Sequence, residues 1–203
     1  MKEKLTVSDS KKLFHEQFPY VIPGLYKRIV DEMLVELNLL NQQNAFKEDY
    51  LFCIGLTETF KELTKGYKPD KHLDLLFEAL WSSTNFVATE MKEISHKSLE
   101  EYKNKSLKDV LRILKEKNNS KLYPSRILNL GIYILISNAA DLKGANESEI
   151  NKKISKIFED FNLSATKAEK DIGIYKSSIS KMEQAKELIE ELRTKEKKKE
   201  LKK

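Results

Sequence analysis

A chain of 203 residues has room for one domain with an extension or for two small ones, and its six glycines, four prolines and absence of sustained period-two alternation speak for an all-α fold. The net charge of +5 is confined to the end: residues 193–203 carry seven basic and two acidic side chains, leaving 30 of each sign in residues 1–192. A neutral body lacks the general basic excess of a nucleic-acid-binding fold, and a single cysteine, Cys53, excludes an intrachain disulfide framework.

In chain order, Ser8, Asp9 or Ser10 is placed to cap a short helix through about Phe18, with Leu13, Phe14 and Phe18 on one side. Pro19, Pro23 and Gly24 then predict an irregular connector, because proline disfavours helical geometry in the residue before it. Leu25, Ile29, Met33, Leu37 and Leu40 recur at three- and four-residue spacing, and Val30 and Leu34 widen the stripe. After a polar turn at residues 41–44, Phe52, Leu56, Phe60, Leu63 and Tyr67 form a second stripe that runs into Gly66 and Pro69, a helix stop. The stretch from Leu25 to Pro69 therefore reads as a helical hairpin. Cys53, between Phe52 and Ile54, reads as a small buried apolar group.

Asp70 is a candidate N-cap for a helix carrying Leu73, Leu76, Phe77, Leu80 and Trp81. Polar clusters at residues 82–85, 95–98 and 118–120 divide the following stretch into several short helices, one with Leu107, Val110, Leu111 and Leu114. Ser98 and Glu101 have capping-box spacing. Pro124 opens the most apolar segment, Ile127 to Ile136. It is shorter than the ~20 residues needed to span hydrocarbon and contains Asn129, so it reads as a buried central helix with the hairpin as its cover. Gly144 ends it, and Asn146 with Glu149 caps a helix whose stripe is Ile150, Ile154, Phe158 and Phe161. From Ser164, the residues Ala165, Ala168, Ile172, Tyr175, Ile179 and Met182 form a heptad seam that weakens at Lys186 and shifts to Leu188, Ile189 and Leu192. This last helix either packs back on the bundle or projects as an arm. The expected organisation is a bundle over residues 1–162 and a long C-terminal helix with a basic end over residues 163–203.

Chemistry-bearing motifs are scarce. Glycine-rich phosphate loops, nucleophile elbows and H-E-x-x-H pairs are missing. Glu93 and His96 make one E-x-x-H step, whereas a di-iron bundle needs two plus a glutamate from each of two other helices. Arg28, Glu32 and Glu36 follow one another at i, i+4 spacing; paired carboxylates for acid–base work are the sharp reading and an exposed, ion-paired helix face the simpler one. That face is the first place to look for a protein partner. Lys197, Lys198, Lys199, Lys202 and Lys203 are either a solvated terminus or a weak contact for an anionic membrane surface, each lysine contributing ~1 kcal/mol near acidic lipid. The expectation is a non-enzymatic protein with no cofactor, metal or small-molecule substrate, and residues 1–10 lack the apolar centre of a secretory signal. The rivals are a nucleic-acid- or ribosome-associated protein using the same lysines and a metal-dependent bundle enzyme.

Laid out in this order, the chain resembles the thylakoid formation protein family, the photosystem II biogenesis proteins of cyanobacteria and plastids. The residues that carry the likeness are Thr6 to Lys11, Ile22 to Glu32 with Leu34-Val35-Glu36, and Gly66-Tyr67-x-Pro69, with Phe46, Gly55 and Phe60 between them. Glu48, Tyr50 and Lys61 depart from the family's pattern. The resemblance implies an accessory role in photosystem II biogenesis and repair alongside FtsH-type membrane proteases, with no catalytic residue. A transit peptide, which plastid members carry, is not recognisable here, so the resemblance points to a cyanobacterial protein peripheral to the thylakoid membrane on its cytoplasmic side.

Overall fold

Two helices that touch backbone to backbone organise the structure, a computed structural model that describes residues 4–117, 122–142, 144 and 146–200, the side chains of 147, 193 and 196–200 excepted. The described residues form nine α-helices and no strand: α1 (Val7–Gln17), α2 (Gly24–Asn41), α3 (Tyr50–Leu63), α4 (Leu73–Ser82), α5 (Ala88–Tyr102), α6 (Leu107–Lys117), α7 (Arg126–Ser137), α8 (Glu147–Asp160) and α9 (Ala165–Glu200). Short 3-10 turns at Asp70–His72 and Ala140–Leu142 precede α4 and follow α7.

Helix α7 is the buried central helix expected from its composition, with Ile127, Leu128, Leu130, Ile132, Leu135 and Ile136 all in the core. Ser125 caps it by accepting from the Leu128 N–H at 3.1 Å. Its closest neighbour is α3. Where they cross, an added Cβ on Gly55 would lie 2.0 Å from the Ile127 carbonyl oxygen, and one on Gly131 would lie 2.0 Å from that of Leu51. Only glycine at both positions lets the helix axes approach this far.

The expected hairpin needs correction. Helix α3 packs closely on α7 and α5, whereas α2 packs on α1 and α4, so α3 rather than the pair covers α7. Nor does α3 carry one stripe: Leu51, Phe52, Cys53, Ile54 and Leu56 are all buried, and the helix forms a wall between two cores. Phe52, Cys53, Leu56 and Phe60 face the core shared with α1, α2 and α4, where Trp81 and Tyr67 are completely enclosed. Leu51 and Ile54 face the core shared with α6, α7, α8 and the start of α9. Cys53 is fully buried beside Met91, as expected of a small apolar group.

Several caps also differ. Thr6 begins α1 through a capping box with Asp9, because the Thr6 hydroxyl accepts from the Asp9 N–H while the Asp9 carboxylate accepts from that of Thr6. Ser10, one of the expected caps, is instead buried and accepts from the Asn38 amide of α2 at 2.8 Å. Asp70 caps nothing and pairs with Lys68 at 2.6 Å. The 95–98 cluster lies inside an unbroken α5, which places Ser98 in mid-helix rather than at a capping box. Residues 118–120 lie outside the described residues. Gly144 sits beyond the second 3-10 turn with φ of +88°, since α7 already ends at Ser137. Asn146 caps α8 as expected, accepting from the Glu149 N–H.

Helix α9 resolves the choice between packing and projecting by doing both. Ala168, Ile172 and Met182 of the seam are buried against a surface made by α8, α7 and α3. Beyond it, Leu188, Ile189 and Leu192 are exposed on a helix that at 1.5 Å per residue is about 54 Å long. Gly173 faces open space, with nothing near an added Cβ.

The glycines separate two opposite outcomes. Gly55→Ala forces α3 off α7 and is expected to cost about 3 kcal/mol, lowering the melting temperature by roughly 6–12 °C. Gly173→Ala removes only a helix-propensity penalty and is expected to gain about 1 kcal/mol. Thermal and urea unfolding of the two variants against the parent measures both.

Candidate functional site

The exposed side of α2 forms one wall of a cleft of about 900 Å³ whose other wall is the segment Tyr123 to Arg126 leading into α7, with Lys167 of α9 at its end. Two periodicities of α2 create it. Val30, Met33, Leu34 and Leu37 turn inward, which leaves Arg28, Asp31, Glu32, Val35 and Leu39 on the cleft side. Val35, Leu39, Tyr123 and Pro124 contribute apolar surface, and Leu39 is 49% exposed. Arg28 and Glu32 also line a second groove of about 570 Å³ between α2 and α9, so the two depressions meet at that pair.

The structure thus brings Arg28, Glu32 and Glu36 into one cleft but gives them different environments. Arg28 donates to Glu32 at 2.8 Å with its side chain 87% exposed, an ion pair of the kind that adds little to stability and opens readily for a partner. Lys27 and Asp31 pair in the same way at 2.8 Å. Glu36 departs from the exposed position expected of it: its carboxylate is largely buried and accepts from the Arg126 guanidinium of α7. Burial raises the Glu36 carboxyl above its ordinary value, Arg126 and Lys167 pull it back, and Asp171 adds to the rise. Glu36 is therefore a tie between α2 and α7, and Arg28 with Glu32 is the surface feature.

A neighbouring polar contact escaped the sequence. Asn129 on α7 donates to the Asp171 carboxylate of α9 at 2.8 Å, with both residues buried. Its only sequence signal is the lone amide inside an apolar run and an aspartate next to the seam residue Ile172. Arg126 is 90 residues from Glu36, and no local spacing connects them. Of the basic run, Lys197, Lys198 and Lys199 lie on the part of α9 whose side chains are not described, while Lys202 and Lys203 lie outside the described residues.

The cleft offers charges and apolar surface rather than reactive groups. Burial, reinforced by Asp49 and Glu48, pushes the Cys53 thiol up to about 12, far from the thiolate that would react. Glu93 and His96 lie exposed on α5, Glu93 paired with Lys97 at 2.5 Å. Among the described residues no three or more His, Cys, Asp or Glu side chains gather where they could hold a metal ion, and no helix is long and apolar enough to cross a membrane.

A family model described as "Thylakoid formation protein" matches residues 6–203. Protein Thf1 of Prochlorococcus marinus (strain MIT 9312) is 78% identical over 201 residues, covering 99% of this chain and 100% of that protein. Protein Thf1 of Prochlorococcus marinus subsp. pastoris is 70% identical over 198 residues, covering 98% of each. A solved structure of Psb29 has a TM-score of 0.84 at 27% identity, covering 96% of this chain and 98% of that one.

The Glu36–Arg126 tie carries a pH signature. An acid whose pKa is raised by folding holds its proton to a higher pH than in the unfolded chain, so its contribution to stability falls as the pH climbs above about 4.3 through the folded value. Arg126→Gln leaves the Glu36 carboxylate unpaired and is expected to cost about 1–3 kcal/mol at neutral pH. The deficit is expected to shrink as the pH falls toward about 4 and Glu36 takes a proton. Arg28→Gln is expected to leave stability essentially unchanged throughout. Denaturant unfolding across that pH range checks both.

Proposed function

The chain belongs to the thylakoid formation protein family, and from that membership we propose that it is a non-enzymatic accessory factor in photosystem II biogenesis and repair that works beside an FtsH-type thylakoid protease complex. The observation that carries the binding half of this reading is the α2 cleft. It combines apolar surface at Val35, Leu39 and Pro124 with two exposed ion pairs, Lys27–Asp31 and Arg28–Glu32, that exchange partners at little cost. Apolar centre and polar rim is the composition of a protein-binding patch. The family likeness, dense from Thr6 to Pro69, takes in this helix.

On this reading the protein acts from the cytoplasmic side of the thylakoid membrane as a peripheral component. The basic run at residues 193–203 adds a weak, salt-sensitive attraction to anionic lipid. A nucleic-acid partner is disfavoured by the balanced charge of residues 1–192 and by the pairing of Lys27, Arg28 and Arg126 with acids around the cleft.

The double charge reversal Arg28→Glu with Glu32→Lys keeps a potential intrahelical pair while inverting the order of charges that a partner meets. Affinity capture from detergent-solubilised thylakoids with the full chain is expected to recover FtsH-type protease subunits, and the reversed variant at least about tenfold less. Recovery of no such subunit by the parent chain would contradict the proposal, and equal recovery by both would move the contact off α2.

A further inference from the structure

Between α2 and α9 the surface keeps room that the fold does not use. Leu25 and Ile29 of α2 line the groove of about 570 Å³ together with Ile174 and Met182 of α9, and Ile174 is 44% exposed. Tyr26 and Lys186 both lie against Gly66 at one end of it, while at the other Glu36 and Asp171 are near enough for their charges to act on each other. The two walls therefore run antiparallel, leaving a trough parallel to both helices.

Gly173 lies on the α9 wall of this trough, and a Cβ added there would meet nothing within 4 Å. Gly55 and Gly131 are required by the backbone each one touches, but Gly173 has no such neighbour and only lowers the helix propensity of α9. With Ser177 one turn on, it leaves a low stretch of α9 surface that another backbone can approach closely. Beneath the groove is a pit of about 60 Å³, lined by Thr59, which shares Ile29, Glu32, Ile174 and Ser178 with the groove above. Thr59 is 7% exposed, and its hydroxyl has no hydrogen-bond partner among the described residues. The space therefore offers both a close approach and an unmet polar group.

The charges around it differ between rim and pit. Lys170 and Lys181 line the groove three turns apart on one side of α9, about 17 Å along its axis, and neither has an acidic partner among the described residues. Arg28 and Glu32 opposite them already pair, so the rim carries two uncompensated positive charges. The pit is acidic instead: Glu36 and Asp171 line it, the first held by Arg126 and the second by Asn129. A small anion dropping into the pit meets those carboxylates, and an acyl chain meets their polar surroundings. A helix laid along the trough avoids both, resting its apolar side chains on Ile29 and Ile174, its backbone over Gly173 and its acids on the two lysines.

We propose that the groove between α2 and α9 is a docking site for an amphipathic helix of a partner protein, about three turns long, whose acidic flank meets Lys170 and Lys181. This is helix-in-groove recognition, with apolar anchors giving affinity and the flanking charges fixing orientation. The inference goes beyond the α2 cleft, which the groove adjoins at Arg28 and Glu32, and holds whichever complex supplies the helix.

A displayed library of helical peptides of about 14 residues, with Leu or Ala along one stripe and Glu, Gln or Lys drawn at random beside it, is panned against the full purified chain. Glutamate-rich sequences are expected to be enriched, and to bind in the micromolar range by fluorescence anisotropy, at least about tenfold more weakly at 0.5 M salt than at low salt. Gly173→Leu, which fills the trough, and separately Lys170→Glu with Lys181→Glu are each expected to weaken binding at least about tenfold, with helicity by circular dichroism and melting temperature kept. Enrichment of lysine-rich sequences, enrichment of none, or peptides that bind both variants as they bind the parent would overturn the proposal. So would saturable binding of palmitate abolished by both variants, which would make the groove a site for an anionic amphiphile. Purified protein alone is used, so failure here is distinguishable from failure of the family-based function.

Discussion

The approach of α3 to α7 at Gly55 and Gly131 is the constraint from which the rest of the structure follows. With no Cβ at either position, the backbone of each helix seats against the carbonyls of the other, and both become buried on nearly all sides. Two central helices at this distance cannot share one core around them; they divide it. One core forms with α1, α2 and α4, the other with α6, α8 and the first half of α9. The glycines lower helix propensity by about 1 kcal/mol each, which the buried contact along the crossing offsets.

The α2 cleft emerges from the same geometry. Because α3 takes the position against α7, α2 is left on the outside with one face on α1 and α4 and its other face toward solvent. The Glu36–Arg126 tie and the Asn129–Asp171 contact then hold α2 and α9 to α7 from either side, and the cleft lies over the first of these. A half-buried ion pair adds little net stability, but its partners are costly to separate. That property sets the angle between α2 and α7 more than it adds to the strength of the fold.

Much of this was legible in the sequence. The helical class, the buried Ile127 to Ile136 segment, the inert Cys53, the seam from Ala165 to Met182 and the family all follow from periodicity, composition or motif. What was misread has a physical reason in each case. Helix α3 looked amphipathic because Phe52, Leu56, Phe60 and Leu63 keep helical spacing, yet the run from Leu51 to Leu56 is apolar at every position, the mark of a helix buried on all sides. Gly55 and Gly131 stood in mid-helix as its second sign. Thr6 was passed over as a cap for the serines that follow it. Glu36 looked exposed because its partner lies 90 residues away, and tertiary pairing leaves no trace in local spacing. Of the site, Arg28 and Glu32 were visible as a surface pair; the apolar patch at Leu39 and Pro124 that makes the surface a cleft was not.

We propose that this molecule works by presenting the α2 cleft to a membrane protease complex. A photo-crosslinking side chain placed at Leu39, inside the cleft, or at Ile94, also solvent-facing but on α5, reads that contact directly in solubilised thylakoids. Adducts to FtsH-type protease subunits are expected from Leu39 and not from Ile94. Adducts from Ile94 alone, or from neither position, would contradict it.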